Sequence, residues 1–149
     1  MAKILRHAQA AWQGTVARGS GTMRLGRGGE DMPFSLRSRT EDSPGTNPEE
    51  LLGAAHAACF SMSLSNLLEE AGHPATRVQT QAKVALESTG EGFSITTIDL
   101  VARGAVDGID EVQFQELAQQ AKQTCPVSKL FASATITLDA ALDPAVAQG

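Results

Sequence analysis

NPEELLGAAHAACFSMSLSNLLEEAG, residues 47–72, is the stretch on which the fold turns. Asn47 is a good N-cap, Pro48 suits the first helical position, and Glu49 and Glu50 favour the positive end of the helix dipole. Asn47 and Glu50 also have capping-box spacing. Gly72 ends the helix and Pro74 bars its return, so a helix is expected from Pro48 to Ala71. Its length is then roughly 36 Å at 1.5 Å per residue. From Leu51 to Met62 it is apolar or small on nearly every face, the pattern of a helix buried all round. A chain of 149 residues can hardly surround such a helix, so a dimer is expected.

Upstream, residues from about Ala8 to Val16 and from Gly21 to Leu25 read as a hairpin around RGSG. Phe34, Leu36 and Ser38 alternate with Ser35, Arg37 and Arg39, suggesting a third strand, and EDSPG at Glu41–Gly45 is a loop. Downstream, Val78, Thr80, Ala82, Val84 and Leu86 give a strand with one solvated face. Phe93 and Ile95, then Ile98, Leu100 and Ala102, form another strand. The inward parity switches between Ile95 and Ile98, which calls for a bulge or bend. Asp110 caps a second helix with the stripe Phe114, Leu117, Ala118 and Ala121, interrupted at Pro126. Ala134, Ile136 and Leu138 mark a last strand. No repeat or linker divides the chain, so residues 1–149 are expected to be one domain, with 143–149 a loose tail.

With 42% hydrophobic and 19% charged residues, the composition is that of a globular protein. The net charge of −5 and scattered arginines (Arg18, Arg24, Arg27, Arg37, Arg39) lack the dense basic footprint of a nucleic-acid partner. MAKILRHAQAAW has no apolar signal core, and LLGAAHAACFSM is too short an apolar run to span a bilayer. A soluble, cytoplasmic protein without a membrane partner is expected, and there two cysteines are seldom a structural staple.

Read locally, Cys59 is a small buried hydrophobe, as free cysteine usually is. His56 one turn earlier, and Ser63 and Asn66 on later turns, make a polar strip that suits a pocket instead. Cys125 precedes Pro126, which pushes it out of helical geometry and can start a new helical turn. As an N-cap its thiol would be acidified; as part of an ordinary kink it would be inert. A working thiolate needs a cation nearby, and an arginine oriented by a glutamate supplies one. Glu49 and Arg39 are the candidates, although a first-turn acid and a solvated arginine are the plainer readings of each. His7, His56 and His73 are too scattered for a metal site, and RLGRGGED lacks the spacing of a nucleotide loop. No cofactor is expected.

GTNPEELLGAAHAACFSMSLS, CPVSKL and ATITLD, with AAWQG and RGSGT earlier, closely resemble the OsmC branch of the OsmC/Ohr superfamily, over nearly the whole chain. The names stand for osmotically inducible protein C and organic hydroperoxide resistance protein. The resemblance implies an α/β (α+β) fold in which curved antiparallel sheets wrap long central helices in an intertwined homodimer. It implies a thiol peroxidase that reduces organic hydroperoxides, and hydrogen peroxide less well, and is restored by a dithiol reductant such as a lipoylated protein. Cys59 matches the peroxidatic cysteine, Cys125 the resolving one, and Glu49 the family glutamate. The arginine matches Arg39 on the third strand if the OsmC pattern holds, or Arg18 in the first hairpin if the Ohr pattern does. Thr40 stands where the OsmC branch carries an aromatic. An apolar pocket near Phe60, Met62 or Phe131 would favour alkyl hydroperoxides. A continuous helix puts Glu49 and Cys59 about 15 Å apart along the axis and roughly 80° apart around it. Glu49 is therefore expected to serve Cys59 of a partner subunit. The rival readings are a non-catalytic small-molecule-binding dimer and a structural dimer with inert thiols.

Overall fold

The structure, a computed structural model, describes residues 2–148. By internal contacts the chain divides into two compact units that meet in sequence between Leu51 and Leu52.

In the first unit, β1 (Ala8–Gln13), β2 (Ser20–Leu25) and β3 (Met32–Phe34) form an antiparallel three-stranded sheet in that order. Gly21 pairs with Trp12 on one side and Phe34 on the other. A Cβ there would lie 2.5 Å from the Phe34 ring, so glycine leaves the space in which Trp12 and Phe34 meet at 5.5 Å. The expected third strand stops early. Ser35 leaves the sheet and caps a short helix, α1 (Leu36–Thr40). The Ser38 N–H donates to Ser35 Oγ at 3.0 Å, and the Ser35 N–H donates back to Ser38 Oγ at 2.9 Å. This reciprocal cap outweighs the alternating pattern that had suggested a strand. Arg39 therefore lies on a helix and not on the third strand.

The long helix, α2 (Pro48–Glu70), crosses from the first unit into the second. Its ends follow the sequence closely. The Glu50 N–H donates to Asn47 Oδ1 at 2.8 Å, while the Glu50 carboxylate takes the Thr46 hydroxyl at 2.9 Å and leaves the capping box half made. At the other end His73 N–H reaches Leu68 O at 2.8 Å and Gly72 N–H reaches Glu69 O at 3.0 Å, with Gly72 at φ +85°. These two bonds make a Schellman stop.

In the second unit, β4 (Ala75–Thr89) and β5 (Gly92–Val106) form a long antiparallel hairpin. Its register slips where Ala85 pairs with Thr97 but Leu86 with Ile95, leaving Thr96 as the extra residue of the expected bulge. α3 (Glu111–Thr124) is capped by Asp110, whose carboxylate takes the Gln113 N–H at 2.8 Å. A five-residue helix, α4 (Pro126–Leu130), follows, and then β6 (Thr135–Leu142). β6 pairs with β5 in parallel, which corrects the expectation of purely antiparallel sheets. The two helices form a crossover that returns the chain to the end of the sheet it left, as a parallel neighbour requires. Pro144–Gln148, within the expected loose tail, form a 3-10 helix, and the Asp143 N–H donates to Gly104 O at 2.9 Å.

His56, Phe60, Leu64 and Leu68, each one turn after the last, are fully buried on α2. The three apolar ones join Ile98, Leu100 and Ala102 of β5 and Phe114, Ala118 and Ala121 of α3 in one core. Each large side chain contributes about 1.5–3 kcal/mol by leaving water. The opposite face is not covered: Ala54, Ala55 and Ala58 are exposed and Met62 is 76% exposed. The helix expected to be buried all round is thus buried along one stripe within a single chain. Its 23 residues are long and apolar enough to cross a bilayer, but this packed stripe is that of a core helix.

Replacing Gly72 by Ala is expected to lower stability by about 1–2 kcal/mol, since only the left-handed conformation, and no neighbouring atom, opposes a Cβ there. Urea midpoints at fixed protein concentration measure it. Gly90→Ala, in open space without a positive φ, should leave the midpoint nearly unchanged.

Candidate active site

Both cysteines lie in the second unit and both are free thiols. Cys59 is half-buried, on the flank of the buried stripe of α2. Cys125 sits where Pro126 breaks the helical run: it is at once the C-cap of α3 and the N-cap of α4, at φ −55° and ψ 125°. Its N–H donates to Ala121 O at 2.9 Å and its carbonyl accepts from the Lys129 N–H at 3.0 Å. Its side chain is fully buried and close enough to the Cys59 thiol for each to shift the other's pKa.

Burial is the largest influence on each thiol and pushes both up. For Cys59, Cys125 adds to the rise, and donation from the Val127 N–H and the Ser63 hydroxyl does not reverse it. For Cys125, burial is outweighed by donation from the Cys59 thiol, the Ser128 N–H and hydroxyl and the Val127 N–H, and its pKa falls. The two thiols therefore titrate as a pair, not as independent groups. Among the described residues, none of the groups acting on either sulfur is a cation.

Behind this pair lies a polar contact absent from the expected site. His56 Nε2 and Ser128 Oγ share a hydrogen bond at 2.7 Å, both residues buried, with the Phe131 ring edge-on to the imidazole at 5.5 Å. His56 Nδ1 has no partner among the described residues. Burial pushes the imidazole pKa down. The signals were present: His56 is one turn before Cys59, and Ser128 is the last residue of CPVS. The polar strip of α2 divides, for Ser63 acts on Cys59 while the Asn66 amide donates to Glu70 at 3.0 Å. Of the three apolar residues considered for a pocket, Phe60 belongs to the core, Met62 is exposed, and Phe131 lies beside His56.

Arg39 and Glu49 meet in the first unit. Arg39 Nε and one terminal nitrogen donate to Glu49 Oε1 at 2.9 and 2.7 Å. The carboxylate is 8% exposed, and its Oε2 has no partner among the described residues. The contact is assembled by Ser38 and Asn47: the Ser38 hydroxyl donates to Thr46 O at 2.7 Å, and the Asn47 amide donates to Ser38 O at 2.9 Å. These bonds tie the start of α2 to α1. A cleft of about 210 Å³ opens beside the pair, lined by Trp12, Val16, Phe34, Ser35, Leu36, Arg39 and Pro48. Thr40 turns its hydroxyl to Leu36 O at 2.8 Å. Arg18, the alternative arginine, is exposed in the β1–β2 turn, its N–H on Thr15 Oγ1 at 3.3 Å. Among the described residues no group of three or more His, Cys, Asp or Glu could hold a metal ion.

The coupling of the thiols gives opposite expectations for two variants, read from the pH dependence of thiolate ultraviolet absorbance. Cys59→Ala removes a donor from Cys125, so its titration should move to higher pH. Cys125→Ala removes a neighbour that raises Cys59, so that titration should move to lower pH.

The family described as OsmC-like protein matches residues 40–139. Peroxiredoxin OsmC of Escherichia coli (strain K12) is 47% identical over 137 residues, which cover 91% of this chain and 95% of that protein. The crystal structure of the organic hydroperoxide resistance protein OhrB of Bacillus subtilis superposes with a TM-score of 0.68 at 26% identity, covering 92% of this chain and 98% of that one. A putative redox protein from Lactobacillus casei ATCC 334 superposes at 0.73 with 25% identity, covering 95% and 94%. With its long apolar helix, its adjoining thiols and its likeness to these proteins, the chain belongs to the OsmC-like family.

Proposed function

We propose that this protein is a cysteine-based peroxidase that reduces organic hydroperoxides to alcohols and, less well, hydrogen peroxide to water. The observation that carries the reading is the meeting of two free thiols at a helix break, in a chain 47% identical to a peroxiredoxin. The Cys59 thiolate attacks the terminal oxygen of ROOH. The O–O bond breaks, the alkoxide takes a proton and leaves as ROH, and Cys59 becomes a sulfenic acid. Cys125 then attacks the Cys59 sulfur, releasing water and forming the disulfide. A dithiol reductant, a lipoylated protein by family resemblance, restores both thiols by exchange. The electrons come from thiols throughout, so the cycle needs no cofactor.

Cys59, whose pKa is raised within its own chain, needs a cation to attack at neutral pH. We assign that role to Arg39, held by Glu49 and supplied by the second subunit of a homodimer. Three observations support the assignment. Arg39 and Glu49 already form an ion pair in one chain. Glu49 and Cys59 stand ten residues apart on one continuous helix, a rise of about 15 Å. The exposed face at Ala54, Ala55, Ala58 and Met62 offers a second copy an apolar surface. In this reading the two units work as one domain of a cytoplasmic dimer.

A peroxidase assay with tert-butyl hydroperoxide and a dithiol tests the core of the proposal. Cys59→Ser should abolish turnover, and activity surviving in it would overturn the assignment. Cys125→Ser should consume one equivalent of peroxide and stall unless a small thiol is added. Arg39→Ala should lower kcat/KM by about 10²–10³-fold, the usual effect of losing a group that stabilises developing charge. Mixed dimers test the subunit assignment. Cys59→Ser and Glu49→Ala chains, each inactive alone, should regain activity when refolded together. Mixtures as inactive as their components would show that Glu49 serves its own chain.

A further inference from the structure

We propose that the buried His56–Ser128 hydrogen bond positions the two cysteines for disulfide closure, by tying the segment that carries Cys125 to the helix that carries Cys59, an inference that rests on the peroxidase reading above. His56 and Ser128 are then positioning residues that act through the sulfurs. Their spacing in the second unit is matched. His56 stands three residues before Cys59 on α2, and Ser128 stands three residues after Cys125 on α4. The two side chains meet at 2.7 Å between Nε2 and Oγ. Each cysteine is thus about one helical turn, a rise of roughly 4.5 Å, from the same cross-link.

The surroundings suit a tie that holds. His56 is fully buried and Ser128 is 5% exposed, so separating them would leave buried polar groups unpaired. Phe131, the residue that ends α4, sets its ring edge-on to the imidazole at 5.5 Å. The same histidine therefore meets α4 at Ser128 and again at its end. Within α4 the Lys129 N–H donates to Cys125 O at 3.0 Å and the Phe131 N–H donates to Val127 O at 2.9 Å, so Cys125 and Ser128 move together. The other members of the buried α2 stripe, Phe60, Leu64 and Leu68, are apolar and pack without direction. His56 alone among them makes a directional bond, and it makes it to the segment that bears the second cysteine.

A hydrogen bond and a disulfide between the same two segments reinforce each other. Each removes freedom that the other would otherwise have to remove, and by linkage the factor is equal in both directions. With the tie made, the sulfurs begin closure already oriented, and less of the barrier is left to cross. Without it, α4 is free to drift from α2. The chemistry stays the same: the Cys125 sulfur attacks the Cys59 sulfenic sulfur, the S–O bond breaks, and the thiol proton leaves with the hydroxide as water.

Single-turnover oxidation by tert-butyl hydroperoxide separates the two chemical phases: sulfenic acid is trapped by dimedone, and disulfide is followed by mass spectrometry. The reduction potential is read separately, in buffers of reduced and oxidised dithiothreitol. It compares two folded forms, so a loss of packing common to both cancels. Ser128→Ala and His56→Leu should each slow closure about tenfold, with sulfenic acid formation altered far less. Each should also shift the equilibrium about tenfold toward the dithiol, which is about 30 mV for a two-electron couple. The double variant should match the single ones, because all three lose the same bond. His56→Gln, which keeps a hydrogen-bonding side chain, should lose less than His56→Leu. In 15N-labelled wild type, which needs no variant to fold, the His56 ring nitrogens should report the bond in both the reduced and the disulfide forms. Unchanged closure and potential in the single variants, additive losses in the double variant, or a bond lost on oxidation would each overturn the tie. Failure of the peroxidase reading would look different: the wild type would form its disulfide in the dithiothreitol buffers but no sulfenic acid with the peroxide.

Discussion

The burial of one stripe of α2 is the constraint on which the second unit depends. Phe60, Leu64 and Leu68 sit one helical turn apart and are fully buried among β5 and α3 residues. Because side chains four residues apart share a face, this packing also fixes the residues just off the stripe. His56 is its first member, and Cys59 lies on its flank. Rotating α2 to expose Cys59 further would pull three large apolar side chains out of the core, at about 1.5–3 kcal/mol each. The position of the thiol is therefore set by hydrophobic packing, and its chemistry by the polar groups that packing brings near.

Those groups come mainly from one irregularity. Pro126 has no N–H and pushes the preceding residue out of helical geometry, so α3 ends and α4 starts at Cys125. The break leaves Cys125 as the N-cap of α4, where the nearby groups of Val127 and Ser128 lower its pKa. The two thiols are pushed in opposite directions: burial raises the Cys59 pKa, while hydrogen bonds outweigh burial and lower that of Cys125. In the proposed cycle, Cys59, with its raised pKa, is the sulfur that calls for a nearby positive charge. Arg39 and Glu49, already paired and backed by Ser38 and Asn47, are the unit proposed to supply it.

Local rules served the sequence reading well wherever a structure is made by near neighbours. The Asn47 cap, the Gly72 stop, the Thr96 bulge, the Asp110 cap and the break at Pro126 each need only a few residues and appear close to where they were expected. The third strand failed because two local signals competed. The Phe34, Leu36, Ser38 alternation favours a strand, and the Ser35–Ser38 pair favours a helical cap. The cap prevailed with two reciprocal backbone bonds, and Arg39 moved with it from a strand to a helix.

The sequence by itself determined the long helix, its ends and the family, because capping chemistry and a long motif are properties of contiguous residues. It also showed the helix to be apolar or small on nearly every face, since composition around a helix needs no coordinates to be seen. Only the tertiary structure decided that Cys59 meets Cys125, that β6 runs parallel to β5, and that His56 bonds Ser128 across 72 positions of chain. Such contacts depend on how elements pack, and spacing along the chain carries no record of it. The choice of Arg39 over Arg18 as the partner of Glu49 belongs there too: both arginines were open to a reader of the sequence, and the hydrogen bonds tying α1 to the start of α2 bring one of them to the carboxylate.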